Sequence, residues 1–303
     1  MLSDASFGFL TLATRADYLK AIGLSLSLEV SNPGVPRAVA CSEDLFPLLE
    51  PYFDFLVPEV KGLKGFAHKV YLDVYTPFSK TMFFDSDVLV FQRVEEHIKA
   101  WPVQPYNACG KWLADGVSAF GLDRAKVAKR LGVSKLVCID GAGHAYFDKL
   151  ESFPIFERAR YITEKYDEFG DGAKYADEDV INMVMTEFGL EPSAYGTFFS
   201  RYVSAKPGSL KMDASRASCS FISAETGEKF EPCMMHFAAD EAPFRYTIEL
   251  WRLFRANNVS ARGLWSLGLG DIYRRYARGH LSRIKDGLKN FLIMDRHKYP
   301  IKK

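Results

Sequence analysis

Two aspartates interrupt an apolar run in the segment Phe83–Val90, which has the sequence FFDSDVLV. A carboxylate inside an apolar strand is costly unless a cation or hydrogen bonds compensate it. Residues at i and i+2 of an extended chain point to the same side, so we expect the side chains of Asp85 and Asp87 to lie next to each other. Mg²⁺ and Mn²⁺ prefer hard oxygen ligands and would satisfy such a pair. The segment therefore predicts a metal site, and a plain strand followed by an acidic turn is the alternative.

The segments around this pair alternate between short apolar runs and amphipathic stretches. The runs FGFLTLA and RAVAC predict strands at residues 7–13 and 37–41, and apolar residues at helical spacing predict a helix from about Tyr18. Strands separated by helices in this order predict an α/β fold with a mostly parallel, Rossmann-like sheet and helices on both faces. Such sheets bind ligands at the carboxyl ends of their strands, which is where the two aspartates are expected.

The composition excludes several classes of protein. With 303 residues, 48% apolar and 25% charged, the chain is neither a disordered protein nor a collagen-like or coiled-coil rod. Its 39 Lys and Arg nearly balance its 38 Asp and Glu, so no overall field marks it as a nucleic-acid binder. Five cysteines without a CxxC pair indicate thiols in a reducing compartment. The N-terminus lacks the pattern of a signal peptide, and we expect a cytoplasmic protein.

Four short motifs, in order along residues 7–245, resemble those of family 8 glycosyltransferases. These are retaining enzymes with the GT-A fold that use nucleotide sugars. The DSD segment resembles the DxD motif of the family, and TLAT with Tyr18 resembles its first strand and nucleotide-base contact. DEDVIN at residues 177–182 resembles DQDxLN, and HFAADEAPF at residues 236–244 aligns with HFxGxxKPW without a gap.

The resemblance implies a role for each matching residue. Asp85, Asp87 and His236 would bind Mn²⁺ or Mg²⁺, and the imidazole favours Mn²⁺ because nitrogen suits the later metals better. The ion would bridge the diphosphate of a UDP-sugar and neutralise the charge that builds as the nucleotide leaves. The implied contacts to the donor are Thr11, Ala13, Thr14, Tyr18, Lys69, Asp85, Ser86, Asp140 and Arg245. The implied catalytic residues are Lys80, Asp177 and Glu178.

Three departures from the family pattern affect this assignment. Ala242 replaces the lysine that grips the diphosphate, and Arg245 is the substitute we expect. Glu178 replaces the glutamine of DQDxLN, and a carboxylate there could stabilise an oxocarbenium-like transition state or act as nucleophile or base. The segment at residues 139–143 differs from the family's FNSG-like motif. Its small residues suit close approach of the backbone to a sugar, with Asp140 bonded to donor hydroxyls, and a plain turn is the alternative.

The sequence becomes helical and then strongly basic from about residue 240. Residues 271–303 contain ten Lys and Arg against three Asp. We therefore divide the chain into a catalytic domain, residues 1–245, and a helical basic extension, residues 246–303. Such a tail fits an anionic membrane surface, where each basic residue contributes about 1 kcal/mol, and would make the protein peripheral on the cytoplasmic membrane face. A solvated helix packed on the catalytic domain is the alternative. Nucleic-acid binding is not expected, since no recognition motif accompanies the basic residues.

These observations predict a metal-dependent enzyme that moves a hexose from a UDP-sugar to a hydroxyl of a glycan or lipid-linked saccharide, with retention favoured. The missing lysine and the altered Glu178 leave open a catalytically silent protein that binds nucleotide sugars or serves as a scaffold. A phosphatase of the haloacid-dehalogenase type also matches the string DSDVLV. Its nucleophile belongs on the first strand of the core, however, and several predicted strands precede Asp85.

Overall fold

A computed structural model describes residues 6–139, 143–201, 204–237 and 243–273. Fourteen strands lie in these ranges: β1 Phe7–Ala13, β2 Arg37–Cys41, β3 Phe55–Pro58, β4 Lys80–Phe84, β5 Val88–Val90, β6 Tyr106–Asn107, β7 Gly110–Leu113, β8 Leu136–Ile139, β9 His144–Asp148, β10 Phe199–Arg201, β11 Lys211–Asp213, β12 Ser218–Ile222, β13 Lys229–Phe230 and β14 Met234–His236. The two strands expected at residues 7–13 and 37–41 are confirmed as β1 and β2.

Ten α-helices lie in the same ranges: α1 Tyr18–Ser31, α2 Phe46–Leu49, α3 Leu72–Tyr75, α4 Val94–Ile98, α5 Arg124–Arg130, α6 Phe153–Glu164, α7 Tyr166–Phe169, α8 Asp177–Glu187, α9 Pro243–Ala256 and α10 Leu264–Ile272. Short 3₁₀ helices occupy Glu43–Leu45, Glu50–Tyr52, Gly65–Tyr71 and Ala214–Arg216.

The main sheet has six strands in the order β3-β2-β1-β4-β9-β6. The first four strands of that order run parallel, while β9 is antiparallel to both β4 and β6. The predicted α/β fold with a mostly parallel sheet is therefore confirmed. Two further sheets, β10-β14-β5 and β11-β12-β13, and the pair β7-β8 surround it.

Alternate residues of the parallel strands pack against different layers of helices. Leu10 and Ala40 belong to a core cluster that includes Phe156 of α6 and Val180 of α8. Val39, one position along β2, belongs to a second cluster with apolar residues of α1 and α9. Because successive side chains of a strand point to opposite faces, these two clusters lie on the two faces of the sheet. The prediction of helices on both faces is thus confirmed.

Of the two C-terminal helices, α9 packs on α1 and α10 packs on α9. A Cβ atom on Gly23 would lie 2.1 Å from Cδ2 of Leu250, so α1 and α9 approach closely at that glycine. Helix α9 begins before residue 245 and therefore crosses the predicted boundary between residues 245 and 246. The division of the chain into two domains stays a prediction. Most of the basic tail, residues 274–303, lies outside the described residues.

In the part of the chain that the structure describes, no helix is long and apolar enough to cross a membrane. All five cysteines fall within the described ranges, are buried, and form no disulfide.

Candidate metal centre and active site

The predicted metal pair lies in a turn that joins two sheets. β4 ends at Phe84 in the main sheet, and the chain resumes at Val88 as β5 in the sheet β10-β14-β5. The backbone N–H of Asp85 donates to the carbonyl of Gly143 at 2.9 Å, and the N–H of Val88 donates back to the carbonyl of Asp85 at 3.2 Å. Asp85 and Asp87 therefore lie at the carboxyl end of β4, where an open sheet of this kind places its ligands.

Strand pairing explains how His236 reaches this turn from 149 residues away. β14 pairs antiparallel with β5, and His236 lies opposite Val88 in that register. Its Nε2 atom is 3.0 Å from Oδ1 of Asp87 and 3.9 Å from Oδ2 of Asp85. One ligand atom from each residue lies within 4.8 Å of the others. Two carboxylates and one imidazole at this spacing form a donor set suited to a divalent cation such as Mn²⁺.

The backbone beside the histidine leaves room only for glycine. A Cβ atom built on Gly143 would lie 2.7 Å from Cε1 and 2.9 Å from Nδ1 of His236. The same residue accepts the hydrogen bond from Asp85. Gly143 thus fixes the turn on one side and allows the imidazole to approach on the other. This gives a physical role to one small residue of the segment 139–143, which has the sequence IDGAG.

Lys69 links the metal pair to helix α8. Its Nζ atom lies 2.8 Å from each carboxylate oxygen of Asp85 and 3.2 Å from Oδ2 of Asp177. The lysine side chain is only 12% exposed and Asp177 is 6% exposed, so the three charges interact where water screens them little. The structure therefore brings together three predicted residues that are far apart in the sequence.

Burial and charge act against each other on the pKa values of this cluster. Burial raises the pKa of Asp85 by more than Lys69 lowers it. Burial also acts to raise the pKa of Asp87, but His236, Lys20 and Lys69 together outweigh it and bring that pKa to about 2. For His236 burial acts to lower the pKa, and Asp87 together with Asp85 reverses the direction and raises it. Burial likewise opposes the charged form of Lys69, yet Asp177 and Asp85 raise its pKa. Lys69 is consequently protonated in the folded protein, and it lies against the carboxyl groups of Asp85 and Asp177.

Three polar residues of the DEDVIN segment at the start of α8 attach neighbouring chain segments. Besides the contact of Asp177 with Lys69, Asp179 accepts a 2.9 Å hydrogen bond from Oγ of Ser118. Oδ1 of Asn182 accepts the N–H of Ile139 at 2.8 Å, where β8 ends and the segment 139–143 begins. All three α8 residues are buried. The motif thus positions the surroundings of the site as well as supplying one carboxylate to it, while Glu178 between them is half-buried.

The predicted nucleotide contacts lie at and after the carboxyl end of β1. Thr11 and Ala13 are buried in the strand. Both the N–H and the Oγ1 of Thr14 donate to Oδ1 of Asp17, at 2.6 and 2.8 Å, which closes the turn into α1. Tyr18 lines a cleft of about 440 Å³ together with Tyr52 and residues of α1, α9 and the following loop. β1 neighbours β4 in the sheet, so these residues lie in and after the strand next to the one that the aspartates follow.

The structure contradicts the catalytic role predicted for Lys80. This residue begins β4, paired with Phe7 and Asp148, and is exposed. Asp85 follows the opposite end of that strand, about 16 Å away at roughly 3.3 Å per residue. The lysine that reaches the aspartates is Lys69.

The remaining predicted site residues are placed less directly. The carbonyl of Ser86 accepts a 3.2 Å hydrogen bond from the hydroxyl of Tyr246. Arg245 is exposed in the first turn of α9, where its charge acts on Glu249 of the same helix. Asp140 and Ala242 lie outside the described residues.

Two residues near the site, Lys20 and His144, were not predicted from the sequence. Lys20 is buried in α1, with Nζ 5.7 Å from the ring centroid of Tyr246, and its charge lowers the pKa of Asp87. His144 is buried at the start of β9, where Nε2 accepts the N–H of Cys109 at 3.1 Å. Burial lowers the pKa of His144 to about 3. A lone lysine on an otherwise apolar helix, in the run YLKAIGL, was the available signal for Lys20.

No protein-family model and no curated protein matches this chain. Solved structures do resemble it. The bifunctional glycosyltransferase WbbM superposes with a TM-score of 0.54 and 12% identity over 84% of this chain and 52% of its own. The galactosyltransferase LgtC, in complex with donor and acceptor sugar analogues, gives 0.52 and 14% over 83% and 94%. An active-site mutant of LgtC gives the same TM-score at 15% identity. This chain thus spans about half the length of WbbM, and it has the GT-A fold of these glycosyltransferases.

Proposed function

We propose that this chain is a metal-dependent glycosyltransferase of the family 8 type, which moves a hexose from a UDP-sugar to a hydroxyl of a glycan or lipid-linked saccharide with retention. The observation that carries the proposal is the cluster of the half-buried Asp85 and Asp87 with the buried His236 at the carboxyl edge of a GT-A sheet. A phosphatase of the haloacid-dehalogenase type is not supported, because the aspartates follow β4, the fourth strand along the chain, and not the first.

The donor set supports a bound Mn²⁺ or Mg²⁺ ion. Its two carboxylates and imidazole converge within 4.8 Å, and the lack of a side chain on Gly143 lets the imidazole of His236 lie against that backbone. The bound ion would supply Lewis-acid stabilisation of the departing diphosphate. The nitrogen ligand favours Mn²⁺ over Mg²⁺.

The protein's own residues then have distinct roles. Lys69, in contact with Asp85 and Asp177, holds both carboxylates in place and adds positive charge beside the donor. Asp177 and Glu178, at the start of α8, supply the carboxylates nearest the transferred sugar. Thr11, Ala13, Thr14 and Tyr18 form the nucleotide side, and Arg245 and Asp140 are further donor contacts. We place the protein in the cytoplasm, at the membrane face where lipid-linked acceptors occur.

Hydrolysis of UDP-hexoses, measured with and without Mn²⁺, tests the proposal. The wild type should release UDP only when Mn²⁺ is present. Asp87→Asn should lower that rate by at least about a hundredfold, because it removes a ligand of the ion. Asp167→Asn, which changes an exposed carboxylate of α7, is the matched control and should behave as the wild type.

Two outcomes would contradict the proposal. Turnover that persists in a chelator would show that no metal is needed. Tight binding of a UDP-sugar without turnover, in the presence of Mn²⁺ and a panel of saccharide acceptors, would identify a silent binding protein. Circular dichroism of Asp87→Asn shows whether a lost rate reflects lost folding.

A further inference from the structure

The outer side of helix α9 carries a stripe of apolar residues beside its arginines. Its inner residues, among them Tyr246, Leu250 and Phe254, are buried in the core beside α1. Phe244, Ile248 and Trp251 are nevertheless exposed, at positions i, i+4 and i+7, which form one stripe along a helix. An amphipathic surface helix carries polar residues on its outer side, so this stripe calls for a covering partner.

Helix α10 repeats the pattern. Trp265 and Leu269 are 63% and 64% exposed, and Tyr273 directly after the helix is 63% exposed. They follow one another at intervals of four residues and form a second stripe. The two helices touch, since a Cβ atom on Gly268 would lie 2.6 Å from Oγ1 of Thr247. We call these six residues the outer stripes. Single exposed apolar residues are ordinary, whereas six large ones on two adjoining helices mark an interaction surface.

The charge of this part of the chain favours an anionic partner. Residues 243–303 contain fourteen Lys and Arg against four Asp and Glu, while residues 1–242 contain 25 against 34. Arg255 lies with its guanidinium carbon 5.3 Å from the ring of Trp251, so positive charge adjoins the stripe itself. A second copy of this chain would bring the same excess of positive charge to the contact. An anionic lipid surface complements both the charge and the aromatic side chains.

We propose that the outer stripes insert shallowly into an anionic lipid surface, and that the folded helices α9 and α10, not the basic tail alone, form the docking element. Tyr246, on the inner side of α9, donates its hydrogen bond to the turn between Asp85 and Asp87. The helix that contacts the lipid is therefore also the helix that contacts the turn of the two aspartates. Resting on the proposed function, this selects a lipid-linked saccharide as the class of acceptor.

Vesicle binding of the full chain tests the proposal. Vesicles of phosphatidylcholine alone and of phosphatidylcholine with phosphatidylglycerol serve as the two probes. The wild type should bind only the anionic vesicles, with a blue shift of tryptophan fluorescence. The double variant Trp251→Ser/Trp265→Ser should bind them at least about tenfold more weakly, because the inserted aromatic area is lost. Leu150→Ser, which removes an exposed apolar residue far along the chain from the stripes, is the control and should leave binding unchanged.

Two results would overturn the proposal. If the double variant binds as tightly as the wild type, the basic tail alone carries the interaction. If the wild type ignores anionic vesicles and forms a dimer that the double variant does not, the stripes are an interface between copies of this chain. UDP-sugar hydrolysis in solution should be equal in the wild type and the double variant, so a failure of the docking proposal is distinguishable from a failure of the proposed function.

Discussion

The candidate metal centre, by which we mean Asp85, Asp87 and His236 together with Lys69 and Asp177, differs from the usual distribution of side chains in the opposite direction to the outer stripes of α9 and α10. At the metal centre, Lys69 and Asp177 are charged and almost fully buried. On the outer stripes, Trp265 and Leu269 are apolar and mostly exposed. Burying a charge and exposing an aromatic side chain both cost free energy, and a partner can offset each cost.

The two regions differ in how much of that partner the protein itself supplies. Each carboxylate of the metal centre has either the ammonium group of Lys69 or the imidazole of His236 within 4 Å. On the outer stripes, Arg255 packs on Trp251, and the exposed area of the other residues faces outward. The charged side chains of the metal centre therefore find most of their partners within the folded chain, whereas the stripes need an external surface to cover them. Changes at the first should alter the folded protein, and changes at the second should mainly alter association.

The largest effect on stability is expected from Lys69→Met. Methionine preserves most of the aliphatic volume, but Asp85 and Asp177 lose the positive charge between them. Removing one member of a buried charge cluster typically costs about 3–5 kcal/mol. We therefore expect the free energy of unfolding, measured by urea denaturation, to fall by that order.

Lys126→Met provides the matched control. Lys126 also pairs with a carboxylate, Asp171 at 3.1 Å, but both side chains are about half or more exposed. Water screens an exposed pair and leaves it little influence on folding, so this variant should remain close to the wild type. A double variant, Lys69→Met/Asp85→Asn, should regain part of the lost stability. Equal effects of Lys69→Met and Lys126→Met on the free energy of unfolding would show that Lys69 does not stabilise the fold by compensating buried carboxylates.

The sequence was sufficient to predict the parallel sheet and the pair of aspartates because both depend on strong local patterns. The apolar runs that became β1 and β2 have the length and flanking turns of buried strands, and the two aspartates of the DSD turn stand out inside an apolar run. His236 was found through its motif, while its closeness to Asp87 depends on the pairing of β14 with β5. That pairing joins segments far apart in the chain and has no local signal.

The incorrect role for Lys80 has a similar physical origin. Lys80 and Lys69 both precede the aspartates, and their order along the chain does not reveal which end of β4 each side chain approaches. The 3₁₀ helix Gly65–Tyr71 brings Lys69 to the carboxyl end of that strand, whereas Lys80 begins it. Sequence proximity favoured Lys80, and the direction of the strand excludes it.

A smaller effect, dependent on pH, is expected from the buried imidazole of His144. Burial lowers its pKa from an ordinary value near 6.5 to about 3. Between these values the unfolded chain binds a proton at this residue and the folded chain does not. The free energy of unfolding should therefore fall as the pH drops from about 6.5 towards 3, by up to about 1.4 kcal/mol per pH unit from this group.

Urea denaturation of His144→Gln between pH 7 and pH 4.5 checks this contribution. The glutamine side-chain oxygen can still accept the N–H of Cys109, and glutamine does not titrate in this range. The variant should show a shallower loss of stability on acidification than the wild type. Parallel curves of the free energy of unfolding against pH would mean that His144 takes up a proton in the folded protein without cost. The surroundings of His144 would then tolerate an additional positive charge.

The smallest effect on stability is expected on the outer stripes, where adjacent residues of α10 allow a direct comparison. Leu264 is 1% exposed and packs in the core cluster of α1 and α9, whereas Trp265 is 63% exposed. Leu264→Ala should lower the free energy of unfolding by about 2–5 kcal/mol through the cavity that it leaves. Trp265→Ser should change it by no more than about 0.5 kcal/mol, because an exposed side chain contributes little to folding. Urea denaturation in the absence of lipid measures both changes. A loss for Trp265→Ser as large as that for Leu264→Ala would show that the stripe is covered within the folded chain, and the contrast with the metal centre would then disappear.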